Sequence, residues 1–201
     1  MGAYTSRITN LLSPLCVWSR TEILSKDCPV PHQPGVYAWF FKRISPLVPL
    51  DDCSKFNTTT LLYVGISPKE PPKTGARPSR QTLRSRLRYH YQGNAEGSTL
   101  RLTLGCLLAK QLDIQLRRVG SGKRMTFTIQ GEEKLSAWME DNAFVSWLEV
   151  VEPWKLEEQL IKTLSLPLNL QDNGKHPFHP VLTEIRRRAR EQARQLPILA
   201  R

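Results

Sequence analysis

Three short stretches of this chain hold residues suited to acid–base or phosphate chemistry. Over residues 153–164, a helical projection places Leu156, Leu160, Ile161 and Leu164 on one apolar stripe; Glu157 falls inside that stripe and Glu158 does not. An ionised carboxylate on a buried face needs compensation. Two readings are open: a buried salt bridge to one of the many arginines, or a metal ligand, because hard Mg²⁺ takes one or two carboxylates plus water and phosphate oxygens. Arg86 and His90 stand four apart at the border of a second stripe, Leu83, Leu87 and Tyr91. A guanidinium presents a planar fork to phosphate and an imidazole exchanges protons near neutral pH, although the same pair also fits a solvated basic face. Tyr37 and Tyr63 lie in aromatic runs where a tyrosine is ordinarily core, with its hydroxyl satisfied at the edge.

The elements that must position these groups alternate between strand and helix. The runs 35–41 and 61–66 are aromatic and β-prone, and predict two neighbouring strands. Prolines and a glycine break the segment 67–78 into a surface loop. Ser79 is a plausible N-cap for a helix from about Arg80 to Tyr91, ended by Gly93. A helix from Ser98 to about Asp113 follows, then a strand from Arg124 to Gln130 in which Met125, Phe127 and Ile129 alternate with polar residues. A short helix at 131–142, a strand at 144–151 and a helix at 153–164, opened by Pro153, complete the core. The tail from Pro180 to Gln195 reads as a basic helix without a strong apolar stripe. The sum is an α/β (α+β) domain with a small mixed, largely antiparallel sheet flanked by helices.

Composition sets the class of partner. The 201 residues are enough for one core and carry a net charge of +11, which favours a polyanion. The charge is segregated: Pro71 to Ala95 holds Lys73, Arg77, Arg80, Arg84, Arg86 and Arg88 with no acid, and Arg186, Arg187, Arg188, Arg190 and Arg194 form a second block. Cys16, Cys28, Cys53 and Cys106 lack the close spacing of zinc or redox motifs and read as reduced, structural thiols. No apolar run approaches a bilayer span and no signal-peptide core opens the chain, so the expectation is a cytoplasmic protein without a membrane partner.

Taken together, the motifs resemble one family. Gly35-Val36-Tyr37 followed by Tyr63-Val64-Gly65 resembles the paired triplets that open the GIY-YIG nuclease domain. Leu83 to Leu87 is similar to the stretch holding that family's phosphate-contacting arginine, with Arg86 in its place. Glu157 to Lys162, followed by Pro167-Leu168-Asn169, is similar to its metal-ligand helix and closing asparagine, at the glutamate-to-asparagine interval of the excision-repair incision nucleases. His90, four after Arg86, resembles the arrangement in restriction enzymes of this class. The resemblance covers about 34–170, with an inserted segment at about 98–144, a lead-in at 1–33 and a basic extension at 171–201.

What the resemblance implies is a metal-dependent DNA endonuclease with Tyr37, Tyr63, Arg86, His90, Glu157 and Asn169 in one site. Glu157 would hold one Mg²⁺ or Mn²⁺, Arg86 and Tyr63 the scissile phosphate, and Tyr37 the attacking water. Asn169 would fix the local backbone. Ile66 stands where many repair and homing members carry lysine, which passes that proton duty to His90. Lys73, Arg80, Arg84, Arg88, Arg186, Arg187 and Arg190 would contact nucleic acid, although for the tail a solvated helix fits equally well. His176 and His179, three apart, invite a metal reading but lack cysteine or carboxylate neighbours. One site per chain suggests a homodimer if both strands are cut. A non-cutting binding module on the same fold and a nuclease acting on RNA are the competing readings.

Overall fold

A computed structural model describes residues 11–72 and 79–199. Lys73, Arg77 and half of the expected loop at 67–78 lie outside them.

The centre of the molecule is strand β1, Gly35–Phe41, in which all seven residues are buried. An unbroken apolar run of this kind is required of a strand covered on both faces. It pairs antiparallel with β3, Thr59–Ser67, on one side and with β6, Ala143–Glu149, on the other, while the two-residue β2, Lys55–Phe56, lines the outer edge of β3. The sheet order is β2-β3-β1-β6, and every pairing is antiparallel. One face packs Val36, Ala38, Phe40, Leu61, Val64 and Ile66 against Leu156, Leu160 and Ile161 of a helix, Pro153–Thr163 (α6 in chain order). The other packs Tyr37, Trp39 and Phe41 against Leu83, Leu87 and Tyr91 of the helix Leu83–Gln92 (α2). The fold is thus mixed α/β, as the sequence predicts.

The lead-in closes the open edge. The backbone N–H groups of Trp18 and Val145 each donate to the other's carbonyl, at 2.9 and 3.0 Å, and a short capped helix, α1, Arg20–Leu24, follows.

Three local expectations are corrected. Helix α2 starts at Leu83, not Arg80, because Thr82 and Ser85 form a reciprocal capping box, whereas Ser79 caps only a turn through the Gln81 N–H. The helix expected from Ser98 to Asp113 is two pieces, α3, Thr99–Leu107, and α4, Ala109–Leu112, ended by Asp113 in the left-handed region at φ 49°. The strand expected to Gln130 stops early: β4, Arg117–Val119, pairs with β5, Arg124–Thr126, and α5 then runs over Thr128–Asn142. Alternation through Met125, Phe127 and Ile129 misled because only Phe127 is fully buried; a Cβ on Gly105 would meet its ring at 2.1 Å, Met125 packs on the core only in part, and Ile129 is 79% exposed.

The tail helix, α7, His179–Gln195, does possess an inward stripe: Leu182 and Ala193 are fully buried, with Ile185 and Ala189 packed beside them. Two of the four are alanines, so hydropathy alone understates it. The helix lies on α3 and β4, where Arg118 donates to the carbonyls of Ala193 and Leu196 at 3.2 and 2.9 Å.

Candidate active site

The pairing of β1 with β3 decides how two tyrosines are presented. Tyr37 stands opposite Gly65 and Trp39 opposite Tyr63. A Cβ on Gly65 would lie 2.6 Å from the Tyr37 hydroxyl, so the glycine lets the phenol lie across the neighbouring strand. Gly35 is equally constrained: its Cβ would meet the Leu148 carbonyl oxygen at 2.2 Å.

Helix α2 brings two further groups onto that phenol from successive turns. The Tyr37 hydroxyl is 2.9 Å from His90 Nε2, and Arg86 Nε donates to it over a long 3.5 Å. Arg86 is held from its other end, where Nη1 donates to the Gly97 carbonyl at 2.9 Å. His90 is fully buried, with Nδ1 2.7 Å from the Ser98 hydroxyl and its ring edge-on to Tyr37 and Trp39. Burial, then Arg86 and Arg101, hold its pKa well below 6.5, so the ring is neutral. Burial raises the pKa of Tyr37 while Arg86 opposes the rise.

Glu157 arrives from α6, half-buried between Leu156 and Leu160. Burial, reinforced by Asp172 and opposed by Lys69, pushes its carboxyl up to about 7. Among the described residues its carboxylate has no hydrogen bond and no ion pair, in contrast to its neighbour Glu158, which pairs with Lys162 at 2.6 Å in solvent. The salt-bridge reading of Glu157 therefore finds no arginine there. Its charge works against ionisation of both Tyr37 and Tyr63.

Asn169 acts as an extra rung of the sheet. Its Oδ1 accepts from the Val64 N–H and its Nδ2 donates to the Val64 carbonyl, both at 2.9 Å, while Leu168 N–H donates to the Leu62 carbonyl at 3.1 Å. The segment after α6 is thereby fixed to β3 at the residue following Tyr63.

With this arrangement in hand, comparison with protein families is decisive. The model of the GIY-YIG catalytic domain matches residues 35–191. The chain belongs to the GIY-YIG family. No curated protein and no solved structure shows significant similarity to it. Membership points to a nuclease, hence to a nucleic-acid substrate, and nucleases of this family generally use a divalent metal ion. The match runs beyond residue 170 into α7.

The donor set of this GIY-YIG domain fits such an ion. Among the described residues no three His, Cys, Asp or Glu side chains cluster as a cage. A hard dication does not need one, because a single unpaired carboxylate with water and phosphate oxygens suffices, and Glu157 is such a carboxylate.

The basic residues divide sharply. Arg84 donates to the carbonyls of Val30 and Cys28 at 2.5 and 2.7 Å, and Arg88 to those of Ile23 and Ser25 at 3.1 and 3.3 Å, so both tie the lead-in to α2. Arg80 is exposed, and Arg190 is half-buried. Arg187 is clasped by Glu184 and Glu191, and Arg188 by Glu184. Arg186 is buried and donates from Nη1 to the Thr103 hydroxyl at 3.2 Å. His176 uses both ring nitrogens locally: Nδ1 accepts from Phe178 N–H at 3.1 Å and Nε2 lies 3.2 Å from the Ser165 hydroxyl.

Three participants escape a reading of the sequence: Ser98, Gly97 and Arg101. Ser98 announces itself as a helix start, and it does cap the Arg101 N–H at 3.1 Å. Its second contact, to His90, appears only once α2 and α3 are folded together. Among the described residues no helix is long and apolar enough to cross a membrane. Cys28, Cys53 and Cys106 are buried free thiols, and Cys16 is exposed.

Proposed function

We propose that this protein is a metal-dependent DNA endonuclease whose site comprises Tyr37, Tyr63, Arg86, His90, Glu157 and Asn169. The observation that carries the reading is Tyr37, whose hydroxyl lies between His90 and Arg86, in a domain whose Glu157 carboxylate has no partner among the described residues.

Phosphodiester hydrolysis requires an activated water, neutralisation of charge on the phosphorus oxygens and stabilisation of the leaving oxygen. Tyr37 is too weak a base alone, since its pKa is raised by burial. A relay overcomes this: the water gives a proton to the Tyr37 oxygen while the phenol proton passes to His90 Nε2. His90 receives it if Nδ1–H donates to Ser98, a tautomer the 2.7 Å contact permits. Two things that keep His90 neutral are its burial and the Arg86 charge; a phosphate docking on Arg86 offsets the second and makes the imidazolium easier to form. Arg86 and the Tyr63 hydroxyl hold the scissile phosphate. Glu157 holds Mg²⁺ or Mn²⁺, which when bound polarises the phosphate and shields the leaving oxygen. Asn169 positions Tyr63 by clamping Val64. Exposed Arg80 and half-buried Arg190 guide the backbone.

The test is incubation of the protein with duplex, branched and single-stranded DNA and with matched RNA, in Mg²⁺ or Mn²⁺, beside Glu157→Ala and Tyr37→Phe. DNA cleavage by the parent and its loss in both variants is the expected result. Retained cleavage by Glu157→Ala would sink the metal site. Binding without cleavage of any substrate points to a non-cutting module, and faster cleavage of RNA reassigns the substrate.

A further inference from the structure

We propose that Arg186 is a phosphate-binding residue of the active site, reaching from α7 to hold a nucleic-acid phosphate next to the scissile one, beside Tyr63. The proposal rests on the nuclease reading above and places a residue of the tail helix inside the site, not on its outer surface.

Arg186 is 8% exposed, yet it is poorly satisfied. Nη1 donates to the Thr103 hydroxyl at 3.2 Å, while Nε is sealed from solvent without any hydrogen-bond partner. Among the described residues it has no ion pair. The charged or ionisable groups it feels are Arg190, of the same sign, the Cys106 thiol and the Tyr63 hydroxyl. Burial keeps both of the latter protonated, pushing Cys106 up to about 11 and Tyr63 higher still. Among the described residues no carboxylate answers this guanidinium.

The fold itself gives no reason for the charge. Leu182, Ile185, Ala189 and Ala193 seat α7 against the core, and an unbranched apolar side chain at 186 would complete that stripe without burying an ion. A buried cation lacking its anion is a place prepared for one supplied from outside. Phosphate suits it: the planar fork binds phosphate oxygens bidentately. Position identifies which phosphate. Tyr63 packs in one buried layer with Leu83 and Leu87 of α2 and with Leu182 of α7, one turn before Arg186, so Arg86 and Arg186 stand on two helices that cover the same face of the sheet. With Arg86 on the scissile phosphate, the neighbouring one falls to Arg186.

The test is the salt dependence of DNA binding, measured by fluorescence anisotropy in EDTA so that nothing is cut, for the parent, Arg186→Met, Arg186→Gln and Arg194→Met. Each phosphate contact contributes about one unit to the slope of log K against log salt. Both Arg186 variants should lower the slope by about one and weaken binding about tenfold, and in the cleavage assay raise KM with kcat nearly unchanged. Arg194→Met, exposed on the same helix, should leave KM and kcat as in the parent. An unchanged slope in the Arg186 variants overturns the proposal, as does failure of both to fold, which would make Arg186 a structural residue. If the parent binds DNA with the expected slope change but cuts nothing, the nuclease reading fails and the phosphate contact stands. If the parent binds no nucleic acid, both fall.

Discussion

Arg101 and Arg186 are both buried arginines, and this molecule treats them in opposite ways. Arg101 is wholly enclosed: Nε and Nη2 grip the Glu132 carboxylate at 2.9 and 2.7 Å, Nη2 also reaches the Glu132 carbonyl, and Nη1 reaches the carbonyls of His90 and Tyr91. Glu132 in turn accepts from the backbone N–H groups of Ala95 and Phe127. Arg186 has a single hydroxyl, and Glu157 has no partner at all among the described residues. The buried charge of α3 is thus answered by Glu132 and by carbonyls of α2, while Arg186 and Glu157 keep no partner of opposite charge among the described residues. A chain that satisfies Arg101 so fully leaves other charges open, and the proposed phosphate and metal contacts would complete them.

Four measurements test that contrast. The largest effect is expected from Glu157→Gln: the parent's cleavage should fall about a thousandfold or more, the several kcal/mol that a bound metal supplies, while stability at pH 8 holds or rises because a buried charge is gone. A variant that is both inactive and much less stable would make Glu157 structural. Next is Arg101→Met, which strands Glu132 and should cost about 3–5 kcal/mol in chemical denaturation; a loss below about 1 kcal/mol would show that the network carries little.

His90→Gln should slow cleavage about a hundredfold through loss of the proton acceptor, with binding of uncut DNA unchanged. Weakened binding would instead place His90 in substrate contact.

The smallest effect is in pH. His90 has its folded pKa below 6.5, so the unfolded chain takes up the proton first; its contribution to stability is complete above about 6.5 and declines at lower pH by about 1.4 kcal/mol per unit, until the folded pKa is reached. Glu157 works the other way, because its folded pKa of about 7 exceeds the ordinary 4.5: stability from this group is greatest below 4.5 and is lost as pH rises to 7. Denaturation of the parent, His90→Gln and Glu157→Gln from pH 4.5 to 8 should separate the two. His90→Gln flattens the acid-side loss and Glu157→Gln the loss toward neutrality; parallel curves would refute both assignments.

Much of the fold was legible because its signals are local. The seven buried residues of β1, the N-terminal proline of α6 and the apolar stripe flanking Glu157 all follow from signals confined to a few neighbouring residues. The break at Phe127 was not legible, since three alternating apolar residues cannot report that Gly105 opens a slot for one ring. Arg84 and Arg88 looked like substrate contacts for a similar reason: the carbonyls they meet lie more than fifty residues earlier.

Triplets and spacings that sit within single elements point to the family, and the faces that Glu157, Arg86 and His90 occupy single them out. Which charges find partners is settled by the folded packing of distant segments. Compensation of a buried ion depends on groups brought close by the fold from distant parts of the chain, so no window of sequence could distinguish the answered Arg101 from the unanswered Arg186.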